Sequence, residues 1–229
     1  MKYLFCYFVG NQPEEETVHF AVSDDGFNFE ALNNNEPVIK QKLGKKCCRD
    51  PFIFRDENNV FHIIATDMRS NDGWNSNNSM VVWDSDDLIN WKNERIIDFS
   101  KFESTKNADI IEKDGKYYLY QADGEKEAIC YAVSDNADGP YFEPDDNKVS
   151  VATVALEGNC IYKIDGTDKY VMIADQFRNG GYFMQETTDM IHFRKVKESN
   201  FSLNHLNPRH GSMLYISDEE YENLISVYK

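Results

Sequence analysis

The chain has 229 residues, of which 41% are hydrophobic and 28% are charged, a balance typical of a soluble globular protein and not of a disordered one. Its net charge of -16 repels phosphate backbones and anionic lipids, which argues against nucleic acid and membrane surfaces as partners. Aromatic residues reach 14%, which favours pleated sheet and also suits stacking against sugar rings.

The first residues form a short apolar run. Residues 3–9 predict a buried strand and not a signal peptide, because no small-residue cleavage site follows them. The five cysteines have no zinc-binding spacing, so we expect free thiols in a reducing, cytoplasmic compartment. No linker divides the chain, so residues 1–229 are expected to form a single domain, and the sequence carries no signal of its oligomeric state.

A polar turn that ends in an aromatic residue recurs four times. The copies are Ser23-Asp-Asp-Gly-Phe-Asn-Phe29, Ser85-Asp-Asp-Leu-Ile-Asn-Trp91, Ser134-Asp-Asn-Ala-Asp-Gly-Pro-Tyr141 and Thr187-Thr-Asp-Met-Ile-His-Phe193. Each copy follows alternating apolar residues, which is the pattern of a strand that runs into a turn. In three copies a hairpin of two further strands comes first, with Asp114-Gly115 and Asp165-Gly166 as typical hairpin turns.

These units predict the four-stranded antiparallel blades of an all-β propeller. The turns lie 49 to 62 residues apart, and the interval that passes through both termini is 65 residues, so four blades account for the chain. The last blade then combines strands from residues 3–29 and 212–216, which closes the ring. A β-sandwich with coincidental turns is the alternative. Residues 217–225 predict the one helix, with Ser217 as its N-cap.

A chemically active residue recurs near the start of each blade. Asp50, Asp109, Glu157 and His210 are separated by 59, 48 and 53 residues, close to the blade repeat. The first strand of each blade lines the channel of a propeller, so these side chains are expected to converge. Carboxylates in one channel shift one another's pKa, which suits the acid and the base of a glycosidase. The alternative is that each acid caps a turn.

The sequence resembles the family 43 glycoside hydrolases, which are arabinofuranosidase- and xylosidase-like propellers. The matching segments are Arg-Asp-Pro-Phe-Ile at 49–53, Asp-Leu-Ile-Asn-Trp at 87–91, Asp109 with the strand pair after it, Glu157-Gly158, and Pro-Arg-His-Gly at 208–211. The family usually has five blades, whereas this chain has sequence for four. Residues 92–106 are too few for the blade that family members have there.

The resemblance implies an inverting, exo-acting glycoside hydrolase for arabinofuranosyl or xylosyl residues. Asp50 would be the general base, Glu157 the general acid, and Asp109 the group that tunes the pKa of the acid. It implies that no cofactor is required and that His210 lies near the channel axis, where a water or a calcium ion is often held. The missing blade supports a second hypothesis, a carbohydrate-binding propeller with impaired catalysis.

Further side chains are predicted to contact the sugar. Arg49 adjoins the predicted base, and His210 lies in the same register. Asp67, Trp74 and Asn75 fall in a polar loop that would reach over the channel mouth, with Trp74 as a stacking platform, although an ordinary exposed loop is the alternative. Arg178 occupies the corresponding place in a later blade, where a surface salt bridge is the alternative.

Overall fold

The structure, a computed structural model of the chain, describes residues 1–74, 76, 78–98, 108–152 and 155–229. The described residues form four separate antiparallel sheets and one α-helix, which confirms the all-β prediction. We call the sheets blades A to D. Blade A has the strand order β15 (Gly211–Ile216), β1 (Lys2–Tyr7), β2 (His19–Ser23), β3 (Glu30–Ala31). Blade B consists of β4 (Cys48–Arg55), β5 (Phe61–Asp67), β6 (Ser79–Ser85) and β7 (Lys92–Asp98).

The other two blades come from the middle of the chain. Blade C consists of β8 (Ala108–Lys113), β9 (Lys116–Asp123) and β10 (Ala128–Ser134). Blade D consists of β11 (Glu157–Lys163), β12 (Tyr170–Asp175), β13 (Tyr182–Thr187) and β14 (Arg194–Lys195). The chain divides into two compact units, of which unit 1 is Met1–Ser104 with Ser202–Lys229 and unit 2 is Thr105–Phe201. Unit 1 holds blades A and B and unit 2 holds blades C and D, while the single domain stays a prediction.

Blade A joins the two ends of the chain, as the sequence predicts. Strand β1 lies between β2 and β15, and its pairing with β15 runs from Lys2 opposite Ile216 to Tyr7 opposite Gly211. The strands approach closely at Gly211, where an added Cβ would lie 2.2 Å from the carbonyl oxygen of Cys6. Only glycine fits there, which explains why glycine follows His210 in the sequence.

The four recurring turns lie where the sequence places them. Strands β2, β6, β10 and β13 end at Ser23, Ser85, Ser134 and Thr187, the first residues of the four copies. In blades A, B and D the aspartate two residues later accepts hydrogen bonds from two backbone amides and from the serine or threonine hydroxyl. Each turn is therefore closed by its own side chains.

Blade C departs from the predicted four strands, because the described residues give it only three. Its turn is one residue longer and contains Pro140, which has no amide hydrogen to donate to a ladder. The chain then pairs with β10 at two isolated bridges, Val133 to Phe142 and Cys130 to Lys148, and further backbone hydrogen bonds join Tyr131 to Asn147 and Val149 to Ile129.

Each unit has its own apolar core. The core of unit 1 includes Leu4, Phe20, Ile63, Val81 and Trp83, and that of unit 2 includes Tyr120, Ile129, Ile161, Met172 and Phe183. The single helix, α1 (Asp218–Tyr228), begins at Ser217 with a capping box to Glu220 and buries Leu224 in the first core. No helix among the described residues is both long enough and apolar enough to span a membrane.

Candidate active site

Asp50 lies at an irregular point of β4 in unit 1. The pairing of β4 with β5 shifts by one residue between Arg49, opposite Thr66, and Phe52, opposite Ile64. Asp50 itself has a φ of 51°, in the left-handed region that aspartate tolerates better than most residues. Such a bulge redirects a side chain out of the regular alternation of a strand and is frequent next to active sites.

The carboxylate of Asp50 is paired with His210. Nδ1 of His210 donates a hydrogen bond of 2.5 Å to Oδ1 of Asp50, and the two side chains are 10% and 24% exposed. Burial by itself raises the pKa of Asp50, but the bond to His210 and the positive charges of His210, Arg49 and Arg209 outweigh it. The pKa of Asp50 therefore lies below its usual range, and the group is ionised at neutral pH.

Ser212, in β15, also holds the backbone of β4 next to this bulge. The backbone amide of Ile53 donates to Oγ of Ser212 at 2.8 Å, and that hydroxyl donates to the carbonyl oxygen of Pro51 at 3.1 Å. His210 and Ser212 thus fix the side chain of Asp50 and the backbone on its C-terminal side. The surroundings of Asp50 are therefore built by β4 and by residues 210–212, which are distant in sequence but neighbours in unit 1.

Arg49 lies between two aromatic rings. The carbon of its guanidinium is 4.5 Å from the ring centre of Phe8 and 5.2 Å from that of Trp74. Its Nη1 donates to Asn11 at 2.6 Å and to the buried carboxylate of Glu16 at 3.2 Å. Arg49 is itself buried, so these bonds favour a role in holding the site together over direct sugar contact.

One face of the Trp74 ring contacts Arg49, and most of the side chain is exposed. The ring is 63% exposed although its inner face lies on Arg49. The loop before it is fixed to Glu16, which accepts hydrogen bonds from the backbone amide and the hydroxyl of Ser70. This arrangement has the form of a stacking platform beside the strand of Asp50. Asn75 lies outside the described residues.

Asp67 does not lie in the predicted loop, because it is the last residue of β5 and is buried. Its carboxylate accepts hydrogen bonds from Nε2 of Gln41 at 2.6 Å, the amide of Lys45 at 2.7 Å and the hydroxyl of Ser79 at 2.8 Å. It therefore ties the segment before β4 to blade B. These partners favour a structural role over the predicted sugar contact.

Asp109 lies in β8 of unit 2 and is bonded to the strand that begins with Glu157. Its Oδ2 accepts a hydrogen bond of 2.6 Å from the amide of Ile161 in β11. Burial raises the pKa of Asp109 to about 7, although the bonds from the amides of Ile161 and Ile110 act in the opposite direction. Asp109 is therefore largely protonated in mildly acidic solution.

Glu157 begins β11 at a second irregular pairing. It lies opposite Asp175, and the register shifts between Glu157 and Cys160. Gly158 has a φ of 55°, so this bulge resembles the one at Asp50 in blade B. Unit 2 thus brings Glu157 next to a second carboxylate, that of Asp175, which is only 2% exposed.

Arg178 lies in the turn between β12 and β13. Its guanidinium forms an ion pair with Glu127, and its side chain is 60% exposed. This environment matches the alternative given above for Arg178, a surface salt bridge. The role of Arg178 in sugar binding stays a prediction.

Several residues of the site escaped the sequence analysis. Phe8, Glu16 and Ser212 support the catalytic candidates through contacts that no local motif predicts. Asp175 does have a signal in the sequence, since the second strands of blades B, C and D all end in aspartate, at Asp67, Asp123 and Asp175. A search for that repeated strand end would have found it.

Comparisons with known proteins also indicate a glycosyl hydrolase family. A family model described as "Probable glycosyl hydrolase domain", related to family 43, matches residues 1–108 and 100–222. The beta-1,2-mannobiose phosphorylase of Thermoanaerobacter sp. (strain X514) is 32% identical over 118 residues, which cover 48% of this chain and 36% of that protein.

A solved structure has the same fold class. A variant of the GH43 protein BlXynB from Bacillus licheniformis aligns with a TM-score of 0.56 and 14% identity, over 88% of this chain and 54% of that protein. The match confirms the propeller class with four blades in this chain. The chain spans about half the length of that structure and about a third of the phosphorylase.

Proposed function

Because the chain belongs to the probable glycosyl hydrolase domain family related to family 43, we propose that it is a glycoside hydrolase. Its substrates are glycosides that end in an arabinofuranosyl or xylosyl residue, which it removes with inversion. The observation that carries this proposal is the carboxylate of Asp50, which lies at a bulge of β4 and is kept ionised by its hydrogen bond with His210 and by nearby positive charges. A general base must be ionised at the pH of the reaction, and surroundings that lower its pKa keep it so.

Asp50 is the general base of the proposed reaction. Its ionised carboxylate removes a proton from water as the water oxygen attacks the anomeric carbon. The bond between that carbon and the glycosidic oxygen breaks in the same step. The low pKa of Asp50 keeps the base ready at neutral and mildly acidic pH.

Glu157 is the general acid, and it protonates the leaving glycosidic oxygen. Asp109 supports it through the bond to Ile161, which ties β8 to the strand that carries Glu157. Inversion requires room for a water between acid and base, so the carboxyl groups of Asp50 and Glu157 must stand roughly 6.5–9.5 Å apart when sugar is bound. Trp74 supplies the apolar face on which the sugar ring stacks.

Hydrolysis between two carboxylates requires no cofactor. A calcium ion near His210 remains a prediction, which assays with and without a chelator test. The five cysteines are buried and form no disulfide bonds with one another, which supports our proposal that the protein works in a reducing cytoplasmic compartment.

The experiment is a panel of aryl arabinofuranosides and xylosides, assayed with and without inorganic phosphate. Glu157→Gln should abolish turnover of the best substrate, because the amide cannot donate the proton. The matched control is Glu198→Gln, an exposed glutamate of the same unit, which should behave as the parent. NMR of the first product should give the inverted anomer. An active Glu157→Gln variant, or a panel with no turnover, contradicts the proposal.

The second candidate function is carbohydrate binding without catalysis. It is supported by the blade that is missing from the sequence, because residues 92–106 are too few for the blade that family members have there. Calorimetry with the same sugars distinguishes the two candidates. Binding without turnover in either buffer selects this one, whereas turnover that requires phosphate selects phosphorolysis, the reaction named for the Thermoanaerobacter relative.

A further inference from the structure

Asp50 and His210 are 160 residues apart in the chain, yet one hydrogen bond of 2.5 Å joins them. An ionised carboxylate can only accept, so Nδ1 of His210 carries the proton that is donated. The bond occupies Oδ1 of Asp50. Among the described residues, no donor is bonded to Oδ2, and the side chain is 24% exposed. In the proposed reaction, Oδ2 is therefore the oxygen that accepts the proton of the attacking water.

The position of His210 is fixed by its surroundings. The amide of Phe8 donates to the carbonyl oxygen of His210 at 3.4 Å, and the amide of Arg209 donates to that of Phe8 at 2.7 Å. The ring of Phe8 meets the imidazole nearly at a right angle, 85°, with the centroids 5.7 Å apart. Gly211 lets this segment lie against β1 without a clash. Both the backbone and the ring of His210 are thus held by Phe8.

We infer that His210 is a positioning residue that fixes the carboxylate of Asp50 through Nδ1, and that Phe8 fixes the imidazole in turn. The inference rests on the proposed function, in which Asp50 is the general base. It differs from the sequence prediction, in which His210 contacts the sugar or holds an ion through a water. A direct contact of that kind would use Nε2, because Nδ1 is engaged by Asp50.

Two amide substitutions separate these roles. The side-chain nitrogen of asparagine lies near the place of Nδ1, and that of glutamine lies near the place of Nε2. His210→Asn should keep kcat within about 10-fold of the parent, whereas His210→Gln should lower kcat by about 100-fold, the effect of a small misplacement of a reacting group. KM should stay at the parent value in both variants, because no sugar contact is lost.

The matched control is His205→Gln, an exposed histidine nearby that contacts Ser202. It should leave kcat and KM unchanged. The opposite ranking, with the glutamine variant more active than the asparagine variant, overturns the inference, and so does a raised KM with an unchanged kcat. Thermal unfolding of each variant identifies any that fails to fold.

Phe8→Leu tests the second half of the inference. It should lower kcat by about 10-fold in the parent and cause no further loss in His210→Gln, because both substitutions act through one group. Losses that multiply in the double variant would remove Phe8 from the positioning role.

Crystal structures distinguish this inference from the proposed function. If the parent hydrolyses no substrate of the panel, the proposed function fails, and the structures still decide about His210. The carboxylate of Asp50 should keep its place in His210→Asn and rotate in His210→Gln. An unmoved Asp50 in His210→Gln overturns the inference whatever the activity.

Discussion

Asp50 in blade B and Asp109 in blade C are the same residue type near the start of a first strand, yet their surroundings drive their pKa values in opposite directions. The partner of Asp50 is an imidazole, with two arginines near enough to contribute charge. The partners of Asp109 are backbone amides, and burial dominates its pKa. Amides stabilise a carboxylate less than a cation does, so they do not offset the loss of water.

The position of a residue in the blade repeat therefore does not by itself determine its chemical role. The sequence places both aspartates in one register, and the structure gives one a charged partner and the other a neutral backbone. An ionised carboxylate such as Asp50 can take a proton, whereas the raised pKa of Asp109 suits the supporting role proposed for it beside Glu157. The predictions below test that division, beginning with the largest effect.

Asp50→Asn should remove the base and lower kcat by about 1,000-fold, within the range that a general base contributes. The protein should remain folded, because asparagine also tolerates the left-handed backbone of this bulge. The measurement is kcat on the best aryl glycoside. Asp86→Asn, an exposed aspartate of blade B, is the control. Full activity in Asp50→Asn would contradict the assignment of Asp50 as the general base.

Asp109→Asn should change how stability depends on pH. The folded pKa of about 7 exceeds the ordinary value of 3.8, so the folded state binds more protons between pH 4 and 7 and the free energy of unfolding decreases as pH rises through that window. The free energy of unfolding of the variant should not show this decrease, which in the parent is on the order of 2 kcal/mol after solvent screening. Denaturant unfolding at pH 4.5 and 7.5 measures it. Parallel pH profiles of parent and variant would show that Asp109 is ionised throughout.

Trp74→Ala should raise KM by about 3- to 10-fold and leave kcat nearly unchanged, because stacking contributes about 0.5–1.5 kcal/mol. Phe142→Ala, an exposed aromatic residue of unit 2, serves as the control. A loss confined to kcat would mean that the platform acts on Arg49 and the base instead of on the sugar.

Asp87→Asn extends the comparison of pKa values to a third environment, that of an exposed carboxylate in a turn. Hydrogen bonds from two amides and from Ser85 outweigh the effect of burial and lower its pKa to about 2. Its contribution to stability is therefore complete above pH 4 and is lost as pH falls toward 2. The expected cost is about 0.5–1 kcal/mol in thermal unfolding at pH 7. Asp135→Asn, in the irregular turn of blade C, should cost less.

Local chemistry made much of the fold predictable. The turns at Ser23, Ser85 and Thr187 contain the side chains that close them, and the shared terminal blade followed from the spacing of those turns. Blade C departs from the pattern because the segment after its turn pairs with β10 only in pieces, and Pro144, which has no amide hydrogen, lies between the bridges at Phe142 and Lys148.

The site was predictable only in part. Asp50, Asp109 and Glu157 could be named as candidates from their register, but the bond from His210 to Asp50 depends on a bulge and on a residue 160 positions away. Asp67 was misplaced because a strand end and a loop start look alike in a polar sequence. Its burial comes from Gln41 and Ser79, which no local pattern connects to it.

Strand β15 begins directly after His210, the partner of Asp50, and is the last of the described strands to leave the ribosome. A nascent chain that has already made β1 to β14 still lacks both His210 and the outer neighbour of β1. Because domains fold as they are synthesised, the edge of β1 stays open until β15 has been made. A nonsense codon shortly before His210 would therefore yield a product in which β1 lacks this neighbour and Asp50 lacks its histidine partner.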